Sequence, residues 1–220
     1  MMNKLEVDSV LLEYGSRRIL SDVYLKCETG KVSGLLGRNG NGKTSLMNII
    51  FGSLIPNSKS VRFNEVSVPK AYATPGLLAY LPQFNFIPAS LTLKRVFTDF
   101  DLDYSTFEKH FPEFKSKYQS RVSGLSGGQR RLLELYVVMK SKSKFLLLDE
   151  PFSHLSPLMI GVIREHLEEE KKNKGILITD HLYRHVIDAA DDLYVLADEN
   201  VHLVKQMADI ERLGYAHLDH

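Results

Sequence analysis

Eight consecutive residues, Gly37-Arg38-Asn39-Gly40-Asn41-Gly42-Lys43-Thr44, have the types and spacing to hold a phosphate chain. Glycines let backbone N–H groups converge on one point without Cβ clashes. A helix opening at Thr44 would add the partial positive charge of its N-terminus. Lys43 has the reach for β- and γ-phosphates, and the Thr44 hydroxyl is a Mg²⁺ ligand in loops of this pattern. The glycine spacing is not that of a dinucleotide-binding fingerprint, so NAD is disfavoured. A Mg²⁺-phosphate site also needs an acidic partner. Phe145-Leu146-Leu147-Leu148-Asp149-Glu150 supplies one: four apolar residues of strand length ending in two carboxylates. In open α/β sheets, ligands gather at the carboxyl ends of strands. Asp149 suits Mg²⁺, through water, and Glu150 suits the role of general base toward an attacking water.

The surrounding elements must place these groups together. Val32–Leu36 is a short apolar run leading into the loop. From Thr44 to Phe51 the apolar residues Leu46, Ile49 and Ile50 follow a helical period, and Gly52 is a stop signal. Upstream, Leu5–Tyr14 and Ile19–Cys27 carry strand character between turns at Gly15 and Gly30. Residues 56–82 return to strands and turns, ending in Leu78–Leu81. Residues 84–124 are rich in Phe and interrupted by Pro88 and Pro112, which predicts short amphipathic helices packed as an insert against the main sheet. Helices are expected over 127–140, 157–172 and 182–190. A buried strand is expected over 176–179, and a hairpin over 193–197 and 201–204. Alternating helices and fully apolar strands predict a mainly parallel sheet covered on both faces.

Composition bounds the alternatives. The chain has 220 residues, 44% hydrophobic and 25% charged, with a formal net charge of +1. That is the balance of a globular protein of one domain, or one domain with a small insert. The near-neutral charge lacks the basic excess of a nucleic-acid binder, so no nucleic-acid partner is expected. Cys27 is alone, which precludes an intramolecular disulfide and a Cys-based zinc site and fits a reducing cytosol. The N-terminus lacks the apolar core of a signal peptide, and no apolar run reaches the ~20 residues that span a bilayer. A His181/His185 pair at i,i+4 invites a metal reading, but the Glu of an HExxH motif is missing.

Leu125-Ser126-Gly127-Gly128-Gln129 sets the class. Together with the two sites above, it makes the chain resemble the ATP-binding-cassette (ABC) ATPases, whose signature this pentapeptide matches at every position. Physically it is a second anion site: a Ser hydroxyl, two Gly N–H groups and a helix N-terminus. The resemblance covers residues 4–205. It implies an α/β P-loop NTPase fold, with a RecA-like, mainly parallel sheet, an N-terminal antiparallel β-subdomain and a short helical insert. One cassette domain would then fill residues 1–220, with the helical subdomain near 84–129 and the remainder, about 1–83 and 130–220, forming the core and β-subdomain.

The resemblance also implies residue roles. ATP would be held by Gly37 to Thr44, with Ser45 beside them, and by Tyr14 stacked on adenine. Gln83 would sense the γ-phosphate and join Thr44 and Asp149 around Mg²⁺. Glu150 and His181 would be catalytic, His181 as the switch histidine at the γ-phosphate. Leu125 to Gln129 would cap the ATP of an opposite subunit. Two copies would sandwich two ATP molecules and drive a separate membrane-spanning subunit, docked near Phe84, Phe86, Leu91 and Phe97, at the cytoplasmic face of a membrane. Ile176–His181 and the single-cassette layout are similar to the ATPase of lipopolysaccharide export, which implies a bacterial source. Lipoprotein-release and drug-export ATPases share most of these features. A non-transport cassette, such as the scaffold ATPase of iron–sulfur assembly, is the alternative. Two departures stand out. The segment after Glu150 reads Ser153-His154-Leu155-Ser156, where the family has Ser-Ala-Leu-Asp, and only 42 residues (84–125) separate Gln83 from Ser126.

Overall fold

The computed structural model describes residues 2–215. A six-stranded sheet forms its centre, in the order β10-β9-β3-β8-β7-β6. Its strands are β3 (Val32–Gly37), β6 (Leu78–Leu81), β7 (Phe145–Asp149), β8 (Gly175–Thr179), β9 (Asp192–Ala197) and β10 (Asn200–Leu203). All neighbours run parallel except the terminal hairpin of β9 and β10. Every residue of β3, β7 and β8 is buried, because both faces of these strands are covered, and that is why they are continuous apolar runs. Leu146, Leu148, Ile176 and Ile178 face a core shared with α4 (Gly127–Met139), α5 (Pro157–Glu170) and α6 (Tyr183–Ala189). Phe145, Leu147 and Leu177 face the opposite core, filled by α1 (Lys43–Phe51) and a second sheet.

That second sheet is antiparallel, in the order β2-β1-β4-β5: β1 (Lys4–Tyr14), β2 (Arg17–Glu28), β4 (Ser58–Phe63) and β5 (Val66–Ser67). The buried positions of β1 run Leu5, Val7, then Val10, Leu12, and those of β2 run Leu20, then Val23, Leu25, Cys27. The alternation slips once in each strand, at Ser9 and Asp22, which both adopt left-handed backbone at φ 54° and 49°. The pairing register shifts at the same place. A bulge restores the apolar side chains to the core face after the slip.

The aromatic insert holds α2 (Leu93–Asp99) and α3 (Tyr104–His110), capped by Thr92 and Asp103. Its rings form their own cluster and join the helical face of the main core through Tyr136 of α4: the Phe107 ring lies 4.6 Å from Phe114 and 4.8 Å from Tyr136. A short helix, α7 (Ala208–Arg212), follows the hairpin. Among the described residues no helix is long and apolar enough to cross a membrane. Because β3, β6, β7 and β8 are parallel, their carboxyl ends meet at one edge. Gly37, Leu81, Asp149 and Thr179 therefore lead into the same region.

Candidate functional site

The loop between β3 and α1 is built by glycine where only glycine fits. Gly42 sits at φ 104°, and a Cβ there would come 2.8 Å from the Ile19 side chain. As the N-cap of α1, Gly42 offers no side-chain acceptor, so the first-turn N–H groups are left to a ligand. Lys43 is buried and curls back over the loop, donating to the carbonyl oxygens of Gly37 at 2.6 Å and Arg38 at 3.2 Å. Burial pulls its ammonium below the usual lysine range, while the Glu150, Asp149 and Asp180 carboxylates pull the other way.

Asp149 ends β7 almost fully buried. The Tyr80 hydroxyl donates to its Oδ2 at 3.2 Å. Its Oδ1 is buried without a hydrogen-bond partner. Burial pushes the carboxyl above the usual range, and the neighbouring Thr44 and Tyr80 hydroxyls draw it back. An unpartnered buried carboxylate oxygen beside the Thr44 hydroxyl is the donor set a hard divalent cation takes, so these residues fit Mg²⁺.

Glu150 lies one residue beyond, at φ 52°. A non-glycine residue in that region costs about 1–2 kcal/mol and persists only where its surroundings hold it. Here its N–H donates to Thr179 O at 2.7 Å. The Ser153 hydroxyl donates to its Oε2 at 3.4 Å, and His181 Nδ1 stands 3.5 Å from the same oxygen. His181 Nδ1 is also 3.3 Å from Asp180 Oδ1. Asp180 is fully buried and accepts from the N–H groups of Phe152 and Leu182, each at 2.9 Å. It thereby ties the turn after Glu150 to the turn that carries His181. His185 points elsewhere: its ring packs on Phe152, with centroids 5.5 Å apart.

Tyr14, Asn39, Gly40 and Gly42 line one cleft of about 530 Å³ with Lys43, Thr44, Ser45, Gln83 and Glu150. Arg17 and Ile19 join them there. Tyr14 is 57% exposed, its ring free on the cleft wall. Arg38 and Asn41 use their side chains differently. Arg38 donates to Gly214 O at 2.6 Å and Asn41 to Leu196 O at 3.1 Å, and both line a neighbouring hollow.

Leu125 to Gln129 do not line that cleft. Ser126 caps α4, accepting from Gln129 N at 3.2 Å, and Gln129 Oε1 accepts from Ser126 N at 3.2 Å. This reciprocal capping box fixes the loop, and Lys117 braces Gln129 at 3.0 Å. At Gly128 a Cβ would lie 2.5 Å from His154 O, so the signature and the Ser153–Ser156 turn are packed backbone to backbone. Ser156 caps α5, accepting from Met159 N at 3.4 Å.

Residues 20–153 match the ABC transporter family profile. The chain belongs to the ABC transporter family. A 32% identical relative, an uncharacterized ABC transporter ATP-binding protein of Rhizobium meliloti, aligns with 83% of this chain and 73% of its own length. The branched-chain amino acid transport ATP-binding protein BraG of Pseudomonas aeruginosa is 29% identical, with 90% of each chain covered. The lipopolysaccharide export ATP-binding protein LptB of Escherichia coli K12 is 28% identical, with 99% of this chain and 95% of that protein covered. Among solved structures, an ATP-binding subunit of an ABC transporter superposes with a TM-score of 0.78 at 24% identity, covering 94% and 92% of the two chains. The fold is therefore the RecA-like P-loop core with an antiparallel β-subdomain and a helical insert. Family membership makes the chain an ATP-binding, ATP-hydrolysing subunit of an ABC transporter.

Three site features carry no signal in the local sequence. Tyr80 reaches Asp149, Asp180 joins two turns, and Arg131 is buried beneath the carboxylates. Arg131 donates to Pro82 O at 2.7 Å, Asp149 O at 2.5 Å and Glu150 O at 3.0 Å.

Proposed function

We propose that two copies of this chain close head to tail around two ATP molecules and that their opening and closing drives a separate membrane-spanning subunit. The observation that carries this reading is the separation of the two anion sites. The P-loop, Gln83 and Glu150 share one cleft, whereas Ser126 and the start of α4 lie outside it. A γ-phosphate can touch both kinds of site only if the second comes from another copy. ATP bound this way has higher affinity for the closed pair than for the open one, and hydrolysis removes that difference.

Within the cleft, the loop N–H groups and Lys43 hold the β- and γ-phosphates. Thr44 and Gln83, with Asp149 through water, would hold Mg²⁺, which would neutralise phosphate charge there. Glu150 accepts a proton from the attacking water, and His181 orients at the γ-phosphate beside it. Tyr14 offers its ring to adenine. Tyr14→Ala should weaken ATP by about 1–3 kcal/mol, and Tyr14→Phe should bind as wild type because the π-face remains. A nucleotide titration of both variants checks this, and equal damage from the two would assign the hydroxyl rather than the ring.

The membrane partner would meet the surface beside Gln83. Phe84 is 71% exposed there. The expected contact at Phe97 does not hold: that ring is buried against Tyr104 and Phe107, with centroids at 5.0 Å. Phe86 and Leu91 are half-buried against the same core. The named relatives serve amino acid transport and lipopolysaccharide export, so cargo is read as a property of the membrane subunit. Placement on the cytoplasmic face follows from ATP supply.

Ser126→Arg tests the sandwich. The bulky side chain fills the contact to the opposite γ-phosphate, so the variant should still bind ATP at its own P-loop but should not dimerise. Light scattering with ATP and Mg²⁺ reads this, and a variant that dimerises as wild type would overturn the proposal.

A further inference from the structure

We infer that Arg131 is a positioning residue for ATP hydrolysis, holding Glu150 in its left-handed backbone and Gln83 beside it from beneath the site. The inference rests on the hydrolytic reading of Glu150 given above. Arg131 is 3% exposed and sits one turn into the signature helix α4. Its guanidinium grips three carbonyl oxygens: Pro82, immediately before Gln83, and Asp149 and Glu150 at the end of β7. A planar fork spreads its donors over separate nitrogens in a fixed geometry, whereas an ammonium donates from a single point.

The strained residue is the point of the grip. Glu150 at φ 52° is held from one side by its own N–H on Thr179 O, and from the other by Arg131 on its carbonyl and that of Asp149. Loss of the second grip lets the 149–150 peptide rotate toward ordinary backbone, and the carboxylate then leaves the cleft. The neighbouring residue completes the clamp. Arg130 donates to Ile87 O at 2.6 Å, and Glu134 accepts from Ile87 N at 3.2 Å. Residues 82–87, which contain Gln83, are thus pinned at both ends by α4. The helix whose N-terminus carries Ser126 is the same body that orients Gln83 and Glu150. Displacement of α4 by an ATP on the opposite copy would therefore be felt at this chain's own hydrolytic residues, through one buried side chain.

The test compares Arg131→Met, which keeps the apolar stem and removes the donors, with Arg131→Lys, which keeps the charge and one donor head. In Arg131→Met, kcat for Mg²⁺-ATP should fall about tenfold to a hundredfold, the scale of an ångström-sized misplacement, with ATP affinity within about threefold of wild type. Arg131→Lys should recover part of kcat. In a Glu150→Gln background, Arg131→Met should cause no further loss, because the two residues act as one unit. Losses that add, or that fall equally on affinity and kcat, would overturn the inference, as would a folded Arg131→Met protein with wild-type kcat. If Arg131→Met does not fold, the same comparisons are made with Arg131→Lys. Wild type and Glu150→Gln run alongside: a wild type that fails to hydrolyse ATP, or a Glu150→Gln protein that turns over normally, removes the underlying reading rather than the role of Arg131.

Discussion

Glu150→Gln protein is expected to bind Mg²⁺-ATP with wild-type affinity, to hydrolyse it about a hundredfold to ten-thousandfold more slowly, and to accumulate as a closed dimer. The rate loss is the range assigned to a positioned general base. The amide keeps the shape of the carboxylate and removes its proton affinity. The groups that hold the residue are mostly backbone: its N–H on Thr179 O at 2.7 Å and its carbonyl under Arg131 at 3.0 Å. They survive the substitution, so the left-handed conformation survives too. Ser153 can still donate to the amide oxygen, as it does to Glu150 Oε2. Phosphate release measures the rate, and light scattering with ATP measures the dimer. Normal turnover in this variant would remove Glu150 from the chemistry.

The dimer half of that result depends on the turn that follows. The family carries an Asp where this chain has Ser156. The structure explains why the fold tolerates the change: Ser156 caps α5, and Ser and Asp are near-equal N-caps. In the proposed dimer, what the Ser lacks is a carboxylate for the opposite P-loop. If Glu150→Gln stays monomeric at high concentration, Ser156→Asp in the same protein should promote the dimer without cost to α5. Failure of both variants to dimerise would leave the membrane partner as the required clamp, or the sandwich itself wrong; adding the partner distinguishes these.

The parts of the site that sequence exposes are those whose chemistry is local. A phosphate cradle is eight adjacent residues, the acidic end of β7 is the close of one apolar run, and the signature is five residues that cap their own helix. Each can be read without knowing the fold. What sequence hides is assembly at a distance. Pro82, Asp149 and Glu150 gather over Arg131 only because β6 and β7 pair in parallel and α4 packs beneath them. Nothing near Arg131 in the chain announces it. The same holds for Tyr80 on Asp149, on neighbouring strands of the sheet and 69 residues apart in sequence. The two bulges, at Ser9 and Asp22, are visible only as a one-residue slip in alternation. Phe84 and Phe97 have the same side chain, and the fold alone separates the exposed one from the buried one.

Lys43→Ala should weaken ATP about tenfold to a hundredfold, the equivalent of one charge-assisted hydrogen bond of about 1.5–3 kcal/mol, and should abolish measurable turnover. In the proposed function Lys43, at the start of α1, is the cleft cation that meets the β- and γ-phosphates. Removing it also leaves the Gly37 and Arg38 carbonyl oxygens without its two hydrogen bonds, so the loop relaxes as well as losing charge. The pH dependence separates these effects. In the free protein, burial lowers the Lys43 ammonium, and phosphate favours its charged form. ATP affinity should therefore be fully present below that lowered pKa and fall as pH rises through it, beginning at a lower pH than a solvated lysine would give. Lys43→Ala should lose this alkaline limb while remaining folded. A titration of nucleotide affinity against pH for both proteins reads the result: an unchanged affinity in the variant would remove Lys43 from phosphate binding, and an alkaline limb retained in the variant would assign it to another group.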